Sequence, residues 1–215
     1  MATIYQTLPA KHIESFLRNG HYFTPCCNFR DKTEFRYGYC YFAGADTEEE
    51  SDECVRDTLT NETINQWLRT TCVSCWAKEL SDSRRMWDEY GAHGPAIRIS
   101  VDRERFCKNA KISLGNPASG DVTYATLISD TAPQFLDLGG FSENDPIKDL
   151  FFHKRGCFVW EKEFRIIVAS GSAVYLPVDP NIIIEIALSP LSPLPPDIER
   201  SLRERFGTKV QNCSC

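Results

Sequence analysis

The stretch FVWEKEFRIIVA, residues 158–169, carries the longest strand pattern of the chain and anchors the predicted sheet. Aliphatic and aromatic residues alternate with charged ones along it, which is typical of a strand that buries one face. In an extended strand Glu161, Glu163 and Arg165 would project from one face, because side chains alternate between the two sides. A buried carboxylate is costly unless it is paired. This face therefore predicts either a charged ladder in water or a site with a catalytic glutamate.

Shorter strand and helix patterns surround this stretch, without a regular βαβ rhythm or a GxGxxG or GxxxxGK[ST] loop. They predict strands at residues 4–7, 21–24, 70–76, 96–101, 111–114, 121–125 and 182–188. They predict helices at residues 10–19, 84–90, 145–156 and 197–206. They also predict a helix that Thr60 or Asn61 caps and that ends at residue 68. The sequence therefore predicts an α+β fold of mostly antiparallel sheets with flanking helices. It predicts one domain over residues 1–207 and a C-terminal tail at residues 208–215.

The composition is that of an average globular protein and excludes several classes of function. The chain has 215 residues, is 42% hydrophobic and 25% charged, and has a net charge of −6. An acidic balance argues against a general nucleic-acid coat or a polybasic membrane anchor, although much of the acid lies in residues 46–57. The apolar runs are too short for a membrane helix, and the first five residues lack the pattern of a signal peptide. We expect a soluble, cytoplasmic protein without membrane partners.

The ten cysteines raise the question of disulfides or zinc. Disulfide frameworks belong to short secreted chains, whereas this chain is long enough to bury a core, so reduced thiols are expected. Cys72 and Cys75 have the spacing of metal ligands, but no second pair matches them. In a strand, residues three apart face opposite sides, and a zinc knuckle needs a turn. The pattern favours buried thiols, and no metal is expected.

Two further segments carry residues suited to a ligand pocket. In residues 84–95, Trp87 and Tyr90 share a predicted helix face, and His93 follows in a glycine-rich exit. Aromatic residues at this spacing are more often core than pocket wall, and a single histidine is more often structural than catalytic. Asn28 lies in a polar turn after two adjacent cysteines and suits a site wall.

Several stretches of the chain form a recognisable order: residues 4–5 with 16–23, the loop 25–31, the motif 86–91 running into 94–99, the motif 160–167, and the ending 184–190. Taken together they resemble the bacterial family called domain of unknown function 2971. The Met-Trp-x-x-Tyr and Trp-Glu-x-Glu-x-Arg motifs are the specific parts of the match, which covers nearly the whole chain. The chain departs from the family at residues 28–31, where Asn-Asp-Pro is usual, and at Gln6, where a basic residue is common.

A second, fainter resemblance is to ADP-ribosyltransferases, in the order of strands and the late Glu-x-Glu strand. It implies NAD as a substrate, with Glu163 as the catalytic carboxylate and Glu161 orienting the acceptor. Tyr90 or Trp87 would wall the nicotinamide site, and Tyr5 or Gln6 would lie beside the cofactor. A negative site suits the developing cation of this reaction. The full set predicted to bind substrate or cofactor is Tyr5, Asn28, Trp87, Tyr90, His93, Lys154 and Arg165. The resemblance implies an enzyme of a bacterial toxin or phage-defence system, with a nucleotide as substrate and an unidentified acceptor.

The first alternative is a metal-dependent nuclease. Carboxylates from Glu161, Glu163, Asp88 and Asp31 would hold the metal, and Lys154, Lys162 or Arg165 would contact phosphate. Against it, Lys162 would lie on the opposite strand face from the two glutamates.

The second alternative is a non-catalytic domain that binds a partner or acts as a sensor through the aromatic residues 35–42. A concave pocket that holds Glu161 and Glu163 together with Tyr90 or His93 would favour an enzyme. Two glutamates on a convex, solvated face would favour a binding domain.

Overall fold

The computed structural model describes residues 2–29, 34–36, 54, 61–80, 83–125 and 151–213. It has helices and a mixed, mostly antiparallel sheet, which confirms the predicted α+β class. The strands are β1 Thr3–Pro9, β2 His21–Pro25, β3 Thr71–Ala77, β4 Ala96–Asp102, β5 Ala118–Asp121, β6 Thr123–Ala125, β7 His153–Arg155, β8 Glu163–Ala169, β9 Val174–Leu176, β10 Ile183–Leu188 and β11 Val210–Asn212. The helices are α1 Ala10–Asn19, α2 Glu62–Arg69, α3 Ser83–Tyr90, α4 Arg103–Leu114 and α5 Pro196–Phe206. None of the helices in this part of the chain is long and apolar enough to cross a membrane.

The chain separates into two compact units, each assembled from non-contiguous stretches. The first unit comprises Met1–Tyr22, Trp76–Ser113 and Tyr175–Cys215. The second unit comprises Phe23–Cys75 and Leu114–Val174. The single domain predicted for residues 1–207 stays a prediction.

The first unit is built on strands in the order β11-β10-β4-β1. β4 is the central strand and pairs antiparallel with both β1 and β10, and every one of its seven residues is buried. Two helices bury apolar stripes here, and the rings of Phe16 in α1 and Phe206 in α5 lie 6.0 Å apart. β11 pairs parallel with β10 through Val210 and Ile186. The predicted tail at 208–215 therefore contains a strand, which is too short to leave an alternating pattern in the sequence.

The second unit is built around β8, which pairs antiparallel with β5 and also pairs with β3. A separate two-stranded sheet joins β6 and β7 in parallel. The apolar core of the second unit includes Phe35, Ile64, Phe151 and Ile167. Helix α2 begins as predicted, because the Asn61 side chain accepts a hydrogen bond from the Ile64 N–H at 3.2 Å.

Three predicted elements differ from the structure. The strand expected at 158–169 begins only at Glu163, because residues 156–161 form a 3₁₀ turn. The helix expected at 145–156 is helical only at Phe151 and Phe152 among its described residues, and 153–155 form β7. Residues 111–114, expected to be a strand, continue α4. Alternation over four residues is compatible with either structure, and here the helix capped by the Asp102 side chain extends through them. Residues 37–42 of the aromatic stretch proposed to bind a partner lie outside the described residues.

Candidate functional site

Five charged side chains of the second unit form one buried group, called here the charge cluster: Glu34, Lys154, Glu161, Glu163 and Arg165. None of the five is more than 9% exposed. The Lys154 ammonium lies 2.6 Å from Glu161 Oε2, 3.3 Å from Glu163 Oε2 and 3.2 Å from Glu34 Oε1. The cluster joins three carboxylates to two cations, so its formal charge is negative by one.

Arg165 is the most deeply buried member of the charge cluster and is fully enclosed. Its Nε and Nη2 donate to the two oxygens of Glu163 at 3.0 and 3.1 Å, in a bidentate arrangement. Nη2 also donates to Glu34, and Nη1 donates to the Phe151 carbonyl oxygen at 2.7 Å. The guanidinium lies 5.2 Å from the ring centroid of Phe35. Each of the three guanidinium nitrogens of Arg165 therefore donates to an acceptor of the protein.

Local backbone geometry brings the two glutamates of the Glu-x-Glu motif together. Glu163 and Arg165 are two residues apart in β8 and share a face, as predicted. Glu161 ends the 3₁₀ turn, and Lys162, with a left-handed φ of 42°, separates that turn from β8. Glu161 thus reaches the same lysine as Glu163 by way of a turn. The prediction that Glu161 shares a strand face with Glu163 and Arg165 is therefore wrong.

The ionisation states of the cluster follow from its pairing. Burial alone would raise the pKa of Glu163, but the charges of Arg165 and Lys154 outweigh it and hold the pKa down at about 2. Burial alone would lower the pKa of Lys154, but Glu163 and Glu34 raise it above its usual range. The lysine and Glu163 therefore both stay charged at neutral pH, because separating either from its partners would leave a buried, unpaired charge.

Two uncharged groups complete the surroundings of Glu163. The backbone N–H of Glu163 donates to the Tyr124 hydroxyl oxygen at 2.7 Å. Burial and the charge of Glu163 raise the pKa of Tyr124, so the phenol stays neutral. The Cys75 side chain is hydrogen-bonded to Glu163, and burial followed by the charge of Glu163 raises the pKa of this thiol. Cys75 is therefore protonated at neutral pH and donates to the carboxylate.

The second unit also contains a cavity of about 240 Å³. Its lining residues are Cys26, Cys27, Phe35, Arg36, Asn65, Leu68 and Arg69. Phe35 belongs to both features, since it lines the cavity and stacks on Arg165. Arg36 Nη2 donates to Asn65 Oδ1 at 2.5 Å, and Arg69 pairs with Glu62 at 2.6 Å. The cavity thus combines two guanidinium groups with a carboxamide, groups that suit an anionic or amide-bearing ligand.

The structure gathers four of the predicted site residues in the charge cluster: Lys154, Glu161, Glu163 and Arg165. Asn28 also belongs to the second unit, where its Oδ1 lies 3.7 Å from the Cys27 Sγ. Tyr5, Trp87, Tyr90 and His93 belong to the first unit. Among the described residues, no group of three or more His, Cys, Asp or Glu is arranged to hold a metal ion.

The exit of α3 in the first unit is a strained turn. Trp87 is buried, whereas Tyr90 is 40% exposed, so the two aromatic residues do not share a buried face. Gly91 is required, because an added Cβ would lie 2.3 Å from the Trp87 carbonyl oxygen. His93 follows with a left-handed φ of 54° and lies exposed, its Nδ1 3.8 Å from Asp88 Oδ1. The turn stores conformational energy next to a buried tryptophan, a feature common beside ligand sites.

Reasoning from the sequence missed Glu34, Tyr124 and Cys75. Glu34 lies in a segment without periodicity, and Cys75 looked like a core thiol. One signal was present for Glu34: the tripeptide Glu-Phe-Arg occurs at 34–36 and again at 163–165. Both copies contribute their glutamate to the charge cluster.

No protein-family model, curated protein or solved structure matches this chain. The resemblances to the domain of unknown function 2971 family and to ADP-ribosyltransferases stay predictions.

Proposed function

We propose that the second unit carries an ADP-ribosyl-transfer site that uses NAD as its substrate, with Glu163 as its central carboxylate. The observation that carries this proposal is the contact geometry of the buried Glu163 carboxylate, which Arg165 binds at 3.0 and 3.1 Å and Lys154 at 3.3 Å. These two cations hold the pKa of Glu163 down at about 2. A general acid or base works best when its pKa lies near the operating pH. Glu163 therefore acts as a permanent negative charge, which is what a reaction through a cationic transition state requires.

The reaction breaks the bond between C1′ of the ribose and N1 of nicotinamide. Nicotinamide leaves with the bonding electron pair and becomes neutral, and the ribose acquires the character of an oxocarbenium ion. An acceptor hydroxyl, or water, then forms the new bond to C1′ and releases a proton. The excess negative charge of the cluster stabilises the cation in surroundings where few water molecules screen it.

The cavity that Phe35 lines supports NAD as the ligand, because Phe35 also contacts Arg165 of the charge cluster. Its volume of about 240 Å³ suits one moiety of a dinucleotide and is below the size of a site for a whole drug-sized ligand. Arg36 and Arg69 provide guanidinium groups for pyrophosphate oxygens. Glu161, held by Lys154 at 2.6 Å, is the second carboxylate and orients the acceptor in this proposal.

The test is release of nicotinamide from NAD by the wild-type protein and by two variants, Glu163→Gln and Glu161→Gln. We expect Glu163→Gln to lower the rate on the order of 10²-fold, the scale of losing one electrostatic group in a preorganised site. Glu199→Gln is the matched control, because Glu199 is a helix-surface residue paired with Arg203 and should leave the rate unchanged. The wild-type rate should show no titration of Glu163 between pH 5 and 8.

Because Glu163→Gln breaks a buried ion pair, its folding is checked by circular dichroism, and a second measurement uses the wild-type protein alone. Cys27 lines the cavity and is partly exposed, so bound NAD should slow its alkylation by iodoacetamide, followed by mass spectrometry. Cys157 is exposed and outside the cavity lining, and its alkylation is the internal control. Absence of both nicotinamide release and Cys27 protection in the wild-type protein would reject the proposal.

A further inference from the structure

One face of β1 and β4 in the first unit carries buried polar side chains that the proposed reaction does not use. Thr7 lies opposite Arg98 in the antiparallel pair, and Ser100 lies two residues further along β4 on the same face. Trp87, from α3, packs on this face, with its ring centroid 5.3 Å from the Arg98 guanidinium carbon. We call these four residues the donor patch: Thr7, Trp87, Arg98 and Ser100.

Three polar atoms of the donor patch have no hydrogen-bond partner among the described residues. They are Thr7 Oγ1, Ser100 Oγ and Trp87 Nε1. Thr7 is 8% exposed, and Ser100 and Trp87 are each 2% exposed, so bulk water does not supply the missing bonds. Buried polar groups without partners are rare, because the lost hydration is not replaced. Their accumulation at one place indicates a site whose partner is a ligand.

The donor patch is small enough for one ligand to reach all of its members. Side chains directly opposite in an antiparallel pair have Cβ atoms about 5 Å apart, and Ser100 lies about 7 Å along the strand from Arg98. On the other side of β4, Ala187 of β10 lies opposite Arg98, so no large side chain crowds the guanidinium from that strand. Glu185 lies opposite Ser100 and is the acidic neighbour on this face.

The chemistry of the donor patch defines the class of ligand. An indole N–H and a guanidinium are donors only, and the two hydroxyls can donate. A ligand that satisfies Thr7 Oγ1, Ser100 Oγ and Trp87 Nε1 presents several acceptor oxygens. The guanidinium of Arg98, which also donates to Cys213 Sγ at 3.9 Å, makes the patch positive and favours a ligand with negative charge. We propose that the donor patch binds an oxyanion, either a phosphate group or a carboxylate group. This site is independent of the proposed function of the second unit.

The experiment compares the melting temperatures of the wild-type protein and of Ser100→Ala and Thr7→Val, with inorganic phosphate, with succinate and with neither, at matched ionic strength. Without an oxyanion, both variants should melt at higher temperature than the wild type, because each removes a buried hydroxyl that lacks a partner. With the oxyanion that fits, the wild type should gain melting temperature, and each variant should bind it about tenfold more weakly. Ser201→Ala is the control, since the Ser201 hydroxyl donates to the Asp197 carbonyl oxygen at 3.0 Å. A general salt effect would shift all four proteins equally.

The measurements with phosphate and with succinate distinguish a phosphate-bearing ligand from a carboxylate. A shift with phosphate alone assigns a phosphate-bearing ligand, and a shift with succinate alone assigns a carboxylate. The proposal is overturned if neither anion gives the wild type a larger shift than Ser100→Ala. It is also overturned if both variants melt below the wild type without an oxyanion, since the hydroxyls would then already be paired.

Discussion

The two units bury polar groups in opposite ways. In the second unit, Arg165, Glu163 and Lys154 satisfy one another through ion pairs of 3.0 to 3.3 Å, with Phe151 supplying a carbonyl oxygen. In the first unit, the hydroxyls of Thr7 and Ser100 are buried without a partner among the described residues. Both arrangements place polar atoms where hydrophobic residues would pack at lower cost. The members of the charge cluster pair with one another and leave a formal charge of minus one, whereas the Thr7 and Ser100 hydroxyls have no described partner.

This difference separates two reasons for keeping a buried polar group. A complete network specifies one arrangement of the segments that contribute to it, and removal of one member leaves the others unpaired. Buried polar groups without hydrogen-bond partners destabilise the ligand-free protein, so their retention indicates a role in binding.

The largest effect is expected for Arg165→Met, which removes the central cation of the charge cluster. Glu163 and Glu34 then remain buried with only Lys154 as a described cationic partner. The unfolding free energy should fall by about 3–5 kcal/mol, the usual loss on breaking a buried ion pair from one side. Urea denaturation followed by circular dichroism measures it. Arg18→Met is the control, because Arg18 pairs with Glu14 at 3.2 Å on the exposed surface of α1 and should change stability by about 1 kcal/mol or less. Equal losses of unfolding free energy in the two variants would show that the buried pair contributes no more than the surface pair.

The second effect is a loss of stability in mild acid that originates in the first unit. His21 is enclosed between the rings of Trp76 and Phe106, at 5.0 and 5.5 Å, and burial lowers its pKa from 6.5 to about 3. The unfolded chain binds a proton below pH 6.5 and the folded one does not, so stability falls as the pH decreases from 6.5 towards 3. Between pH 7 and pH 5 the unfolding free energy should drop by about 2 kcal/mol through this residue.

The same experiment separates the buried histidine from the charge cluster. The folded pKa of Glu163 is about 2 and its ordinary value is 4.5, so its contribution is intact above pH 4.5 and is lost as the pH falls towards 2. His21→Phe should therefore flatten the stability profile between pH 7 and pH 5 and leave the further loss below pH 4.5. A profile for His21→Phe that keeps the wild-type slope above pH 5 would contradict this assignment.

The smallest effect is a pair of Thr→Val changes with opposite signs. Thr7→Val removes a buried hydroxyl that has no described partner and should raise the unfolding free energy by about 1 kcal/mol in the absence of a ligand. Thr70→Val removes a hydroxyl that donates to the Gln66 carbonyl oxygen at 2.9 Å and should lower it by about 1 kcal/mol. Both are measured by urea denaturation without added oxyanions. If both variants change the unfolding free energy in the same direction, the Thr7 and Thr70 hydroxyls do not differ in pairing as described.

Part of the candidate site could be predicted from local pattern. Glu163 and Arg165 share a strand face because side chains alternate, and this holds in β8. The route of Glu161 to the cluster could not be predicted, because it depends on a left-handed residue, Lys162, that is neither Gly nor Asn. Glu34 is about 130 positions away along the chain, and no local pattern connects it to Arg165.

The sequence by itself determined the elements whose signals are local. The α+β class, helix α1 with its glycine end, the Asn61 cap of α2 and the alternating strand β4 all follow from periodicity and capping, which act within a few residues. Only the tertiary structure decided which charges meet, which hydroxyls stay unpaired and where short strands such as β11 pair. These depend on contacts between distant segments and on burial, which changes the free energy of a charge or a hydroxyl by several kcal/mol without any change in the residues around it in the chain.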